Sequence, residues 1–278
     1  MTPIKHMIAS RPSSDGDGVK IKRLSLFNQQ LTDPFLMLDE LGSDNPNDYI
    51  GGFPPHPHRG METLTYLRHG SLTHKDHLGN TGLINSGGVQ WMSAGKGIIH
   101  SEMPARELDR LHGFQLWINL PAAEKMSAPQ YRDVPMEEVV HVQLENGTQL
   151  HVIAGDWQID GIEHSGPLST LAANAHYLDI ELPAGAELTL PVKRDHQVMA
   201  YVYEGQLLTQ PTSHAGHLLI FDHQGEVQLK AEQDSSILLL TGRPLREPVV
   251  HYGPFVMNSV EQIEQAIQDY NAGRFGQL

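Results

Sequence analysis

Two short stretches of this chain carry side chains able to hold a metal ion. One is His56-Pro57-His58, followed by Glu62, and the other is His100-Ser101-Glu102. In an extended strand, residues two apart point to the same face. His56 and His58 therefore share a face, and so do His100 and Glu102. If both strands turn those faces into one barrel, three imidazoles and a carboxylate converge. Such a set suits Fe(II), Mn, Ni, Cu(II) or Zn. On an octahedral ion it leaves two positions open for water, O2 or a substrate oxygen, as Lewis-acid or oxygen-activating chemistry requires. A tetrahedral zinc with the same four ligands would be closed and structural. Glu62 lies at even spacing from His58, so on the residues alone it competes with Glu102 as the carboxylate. His69, His74, His77 and His112 have no second partner at ligand spacing and read as ordinary turn or strand residues.

The elements that must position these groups read as short strands. Residues 63–67, 71–76, 82–85, 89–92 and 112–120 are strand-like and are separated by Gly-rich turns, the pattern of a sandwich or barrel. Pro57 cannot donate to a strand ladder, which puts His56 and His58 at an edge or a strand start. Upstream, 11–18 is a polar turn cluster, 19–24 alternates like a half-buried strand, and 34–40 is an apolar run ending in Asp39 and Glu40. Pro121, Pro129 and Pro135 mark 121–138 as a connecting segment. Strands resume at 150–155, 175–180, 198–203, 218–221 and 236–241. The last element is a helix with Ser259 as N-cap and Gln262 three residues on. Val260, Ile263, Ile267 and Tyr270 form its expected buried stripe, and Gly273 stops it.

Composition narrows the classes. The 278 residues include 19 Lys and Arg against 33 Asp and Glu, a net charge of -14. That balance argues against direct nucleic-acid binding and against an electrostatic hold on anionic lipid. With no cysteine in the chain, disulfides and thiolate metal sites are excluded. A cytoplasmic location is expected, with no signal peptide and no apolar run near the roughly 20 residues that span a bilayer.

The chain also looks like a repeat. The strand ending at Gly70 resembles the one ending at Gly205. On that register His56 falls on Pro191, His58 on Lys193 and Glu62 on Gln197. Matching Gly88-Val89 with Gly216-His217 puts His100 on Gln228 and Glu102 on Lys230. Two similar β-domains are expected: 1–130, which binds metal, and 131–278, which is metal-free and carries the terminal helix.

Several stretches carry a family resemblance: 33–40, 51–65, 89–104 (including Gly95-Lys96-Gly97-Ile98-Ile99-His100-Ser101-Glu102-Met103-Pro104), 115–120, 246–250 and 253–258. Together they make the whole chain resemble the pirin branch of the cupin superfamily. The resemblance implies an all-β bicupin, two antiparallel jelly-roll-like β-barrels with a short C-terminal helix. It implies one divalent metal, usually iron, in the N-terminal barrel. The implied ligands are His56, His58, His100 and Glu102, which selects Glu102 over Glu62. Pirins resemble quercetin 2,3-dioxygenases, so the implied activity is O2-dependent opening of a flavonol ring with loss of carbon monoxide. Glu102 would then double as ligand and catalytic base, with Phe53, Trp91 and Met92 as candidates for the pocket wall. The alternative implied by other members is a non-catalytic metal or redox sensor that binds a transcription factor or a metabolic enzyme.

Overall fold

Glycines and prolines cut this chain into short extended runs, and long-range pairing rather than local structure assembles them. The structure is a computed structural model that describes residues 1–105 and 109–276. In chain order its strands are β1 (Ile4–Ala9), β2 (Arg11–Asp15), β3 (Val19–Ser25), β4 (Phe35–Ser43), β5 (Phe53–His58), β6 (Met61–His69), β7 (Ser71–Asp76), β8 (Thr81–Asn85), β9 (Val89–Ser93), β10 (Ile98–Pro104), β11 (Leu111–Asn119) and β12 (Gln130–Val134). They continue as β13 (Val140–Gln143), β14 (Gln149–Ala154), β15 (Asp156–Ile159), β16 (Ile162–Ser165), β17 (His176–Leu182), β18 (Glu187–Pro191), β19 (Gln197–Glu204), β20 (His217–Phe221), β21 (Glu226–Lys230), β22 (Ser235–Gly242), β23 (Val250–Tyr252) and β24 (Phe255–Met257). Helix α1 (Gln29–Thr32) is a single turn, and α2 (Val260–Asn271) follows β24. No helix among the described residues is long and apolar enough to cross a membrane.

The chain forms two predominantly β units, as the patterning predicts. The first barrel combines a seven-stranded sheet, β12-β9-β6-β11-β4-β3-β2, with a four-stranded sheet, β5-β10-β7-β8. The second barrel is built on a seven-stranded sheet, β1-β20-β19-β22-β17-β14-β13, with the β18–β21 pair. The segments β9-β6-β11-β4 and β20-β19-β22-β17 run in the same order, which is the repeat seen in the sequence.

The division is not a cut at 130/131. One unit comprises Pro12–Gln29, Phe35–Met136 and Leu245–Leu278, the other Met1–Arg11, Gln30–Pro34 and Glu137–Pro244. Each end of the chain thus serves the barrel formed by the other half. Strand β1 pairs antiparallel with β20. Helix α2 packs Ile263 and Ala266 with Ile99, Phe255 and Met257, on the outer face of β10. The buried Arg59 ties it there: its guanidinium donates to Asp269 of the helix at 2.9 Å and to the Lys96 carbonyl at 2.5 Å, and it lies 4.4 Å from the Phe275 ring centroid.

Three local expectations change. Residues 11–15 form edge strand β2 rather than only a turn, and β12 occupies the middle of the expected connecting segment, fitted between Pro129 and Pro135. In α2, Ser259 caps the Gln262 amide at 3.3 Å as expected, but the Gln262 side chain reaches back to the Asn258 N–H. The buried residues of the helix are Ile263, Ala266 and Asp269, whereas Val260 and Tyr270 are exposed. The ion pair with Arg59 rotates the inward face towards Asp269, which hydropathy alone does not show.

Candidate metal centre

Strand β5 begins after a glycine-rich turn and is held to β10 by antiparallel pairing. The register sets His56 opposite His100 and His58 opposite Ile98. Opposed residues of an antiparallel pair share a face, so the three histidines meet inside the first barrel. Each offers one ring nitrogen such that all three lie within 4.8 Å of one another. Their ring centroids are 4.4–4.9 Å apart. Among the described residues, the second barrel contributes no such group.

The donor atoms fit a metal. The His56 Nδ1–H donates to the Pro54 carbonyl at 2.8 Å, which leaves the Nε2 lone pair free. His100 Nε2 and both ring nitrogens of His58 are buried without a hydrogen-bond partner, an arrangement that is costly unless something else satisfies them. Burial, reinforced by His56, holds His58 and His100 well below the usual histidine range. They are therefore neutral, the form that ligates a cation. A His-rich cluster suited to a divalent metal is present.

Glu102 is buried inside the same barrel but is not a member of the three-histidine group. A register shift in β10 between His100 and Glu102 sets Glu102 opposite Phe53. Its carboxylate accepts from the Thr65 hydroxyl at 2.9 Å and from the Gln115 amide at 3.0 Å. The even-spacing argument for Glu62 does not survive the fold. Strand β5 ends at His58, and Gly60 turns the chain with φ +81° before β6 starts in the other sheet. A side chain at Gly60 would meet the Val256 carbonyl at 2.0 Å. On β6, Thr65 faces Glu102, so Glu62, three residues away, points to the opposite side.

A cavity of about 770 Å³ opens over His56 and His58. Its wall draws on Arg23, Phe27, Met37, Phe53, Gln115, Trp117 and His251. Trp117 stands edge-on to His58 at 5.3 Å, and Phe27 stacks on His251 at 3.7 Å. Of the three wall residues expected, Phe53 lines the cavity. Met92 packs instead with Ala94 and Ile98, and Trp91 faces elsewhere. Phe27, Met37, Trp117 and His251 are not legible as wall residues in the sequence, because they come from three separate strands and the loop after β3. His74, which lacks a second ligand at ligand spacing and so reads as ordinary, is fully buried, and its Nδ1 lies 3.4 Å from His100 Nδ1. Its signal was parity: on β7 it alternates in phase with Leu72.

Comparison with known proteins places the chain. The Pirin family model matches residues 19–118, and the model of the Pirin C-terminal cupin domain matches 177–276. A Vibrio cholerae protein, named as a candidate quercetin 2,3-dioxygenase, is 48% identical over 98% of this chain and 97% of its own length. The crystal structure of a quercetin 2,3-dioxygenase from Acinetobacter baumannii superposes with a TM-score of 0.91 at 34% identity, covering 99% of each chain. The bacterial pirin YhhW from Escherichia coli, solved in complex with nickel(II), shares the fold at TM-score 0.64 and 22% identity, over 86% of this chain and 99% of its own. With both barrels matched and relatives this similar along their whole length, the chain belongs to the pirin family, a bicupin branch of the cupin superfamily closely related to quercetin 2,3-dioxygenase-like proteins.

Proposed function

We propose that the protein is a metal-dependent dioxygenase that opens the ring of a flavonol such as quercetin with O2 and releases carbon monoxide. The observation that carries this reading is the group of three converging imidazoles, with buried ring nitrogens of His58 and His100 unpartnered, beneath a cavity that His56 and His58 line together with aromatic rings. That cavity lies within the size range of small-molecule sites. The relatives named as quercetin 2,3-dioxygenases support the same substrate class. His56, His58 and His100 would hold the ion, with Glu102 as fourth ligand. A divalent metal held there, Fe(II) in this reading, would supply Lewis-acid and oxygen-activating chemistry.

The chain's own residues then divide the work. Phe27, Phe53 and Trp117 receive the flat apolar body of the flavonol and exclude water. Glu102 takes the proton of the flavonol hydroxyl as general base. The Thr65 hydroxyl and Gln115 amide that now hold its carboxylate keep it aimed until then. A cytoplasmic location accords with a chain that contains no cysteine. The test is oxygen uptake with quercetin by iron-loaded protein, set beside a His56→Ala variant. Uptake well above the variant is expected, and equal rates would overturn the assignment.

A further inference from the structure

We infer that His74 is a positioning residue for His100, fixing which ring nitrogen of His100 faces the metal. The inference rests on the three-histidine metal site and adds a partner behind it. His74 sits on the inner face of β7, opposite Glu102 in the register, while His100 is opposite Asp76. The Nδ1 atoms of His74 and His100 face each other at 3.4 Å. Two imidazole nitrogens in contact can share only one proton, so one donates and the other accepts. If His100 presents its lone pair at Nε2, its proton is on Nδ1 and donates to His74. The proton of His74 is then on Nε2, which makes no hydrogen bond and lies 4.0 Å from the Asp76 carboxylate. That carboxylate is itself fixed by Asn80, whose side chain donates to Oδ2 at 2.7 Å. The His100–His74 contact, with the Asp76 carboxylate close behind it, has the form by which an outer partner orients a ligating histidine and sets its tautomer.

The far side of His74 is built as well. Its ring lies against Tyr131, centroid to centroid 4.7 Å and 33° from parallel. The Tyr131 hydroxyl donates to Asp133 Oδ2 at 2.5 Å, and the Gln90 amide donates to both Tyr131 and Asp133 at 3.0 Å. The residue opposite His74 on β8 is Gly82. A Cβ there would stand 2.0 Å from both Asp133 Oδ2 and the Tyr131 hydroxyl. The glycine leaves the space through which the Tyr131–Asp133 pair reaches over His74 and clamps it. A histidine that merely filled the core would need neither the contact with His100 nor this clamp.

The experiment compares His74→Leu, His74→Asn and Gly82→Ala with the wild type. Co(II) and Fe(II) affinity is measured by calorimetry, the Co(II) absorption spectrum is recorded, and the unfolding midpoint of the metal-free protein is taken. Leucine cannot accept the His100 proton, so affinity should fall about 10- to 100-fold, as for other outer partners of metal ligands, and the Co(II) bands should shift. Asparagine offers an oxygen on the Nδ1 side and should recover most of the affinity. Gly82→Ala should act in the same direction, but less. Wild-type affinity and spectrum in His74→Leu would overturn the inference. If the leucine variant is poorly folded without metal, the asparagine variant decides: a well-folded His74→Asn that binds no better than His74→Leu overturns it too. A wild-type protein that binds neither metal would overturn the metal site itself.

Discussion

The two barrels use the same strand order and put opposite chemistry at the same place. In the first, β5 and β10 turn His56, His58, His100 and Ile98 inward. In the second, β18 pairs with β21 so that Leu188 faces Leu229 and Leu190 faces Val227, all buried in one apolar core with Leu178, Ile180 and Leu239. Where one barrel keeps unpartnered nitrogens under a cavity, the other packs hydrocarbon at the paired positions. The same sheet framework is thus built around an apolar core in one barrel and around imidazoles in the other. The cavity and the bare imidazoles are stability forgone in the first barrel, since buried polar atoms without partners cost free energy and empty volume loses contacts.

The sharpest way to break the contrast is to make the first barrel resemble the second. His100→Leu places a leucine where β21 already carries leucine or valine. It removes a ligand and leaves His74 without its partner. A single equivalent of metal per chain should drop to background by elemental analysis, and flavonol-dependent oxygen uptake should vanish with it. The fold should persist, because the second barrel carries apolar side chains at the equivalent positions. Retention of metal by this variant would break the comparison.

A smaller effect comes from cavities in each barrel. Leu229→Ala opens a void in the filled barrel and should cost about 2–5 kcal/mol of stability, the usual range for such truncations. Met37→Ala only enlarges a cavity that already exists beside Met37 in the first barrel. It should cost less, measured by chemical denaturation, and should change the KM for quercetin instead. Equal losses from the two variants would mean that the first barrel is as tightly packed as the second.

Much of this contrast could be read in the sequence, and its limits have physical causes. The ligand pairs were legible because a strand repeats every second residue, and the repeat was legible because β6 and β19 both end in a glycine of positive φ, Gly70 and Gly205. The replacements in the second barrel were misplaced. Pro191 and Lys193 are exposed, and Gln228 and Lys230 alternate with the buried Val227 and Leu229. A one-residue slip flips every side chain to the other face, and a fixed offset cannot span turns of different length, 59–60 after β5 and 192–196 after β18. The choice between Glu62 and Glu102 had the same difficulty: spacing along the chain says nothing once Gly60 sends it into another sheet. The cavity wall and the His74 clamp draw on pairings between strands distant in sequence, for which a single strand's pattern holds no signal. The helix belongs with the first barrel through contacts distant in sequence, the packing of Ile263 and Ala266 with Ile99 and the buried ion pair of Arg59 with Asp269, which a local pattern does not show.

The smallest expected effect concerns protons in the second barrel. His176 and His196 are buried there with ring centroids 5.5 Å apart. Burial first, then nearby positive groups (Lys193 for His176; His176, Lys193 and Arg243 for His196), pulls each down to about 4. Asp156 and Asp195 oppose the shift without cancelling it. The His196 Nδ1 lies 3.2 Å from the Thr241 hydroxyl, which satisfies a neutral ring. Because the folded value lies below the ordinary 6.5, the unfolded chain binds more protons between those limits. Stability from this pair is complete above about pH 6.5 and is lost as the pH falls towards 4. Replacing both histidines with glutamine removes that proton uptake, so the denaturation midpoint should depend less steeply on pH over this window than in the wild type. Other titrating groups, the histidines of the first barrel among them, act on both proteins alike and cancel in the difference. An unchanged slope would mean that the second barrel meets acid through other groups, and that its two histidines are as indifferent to protons as the leucines around them.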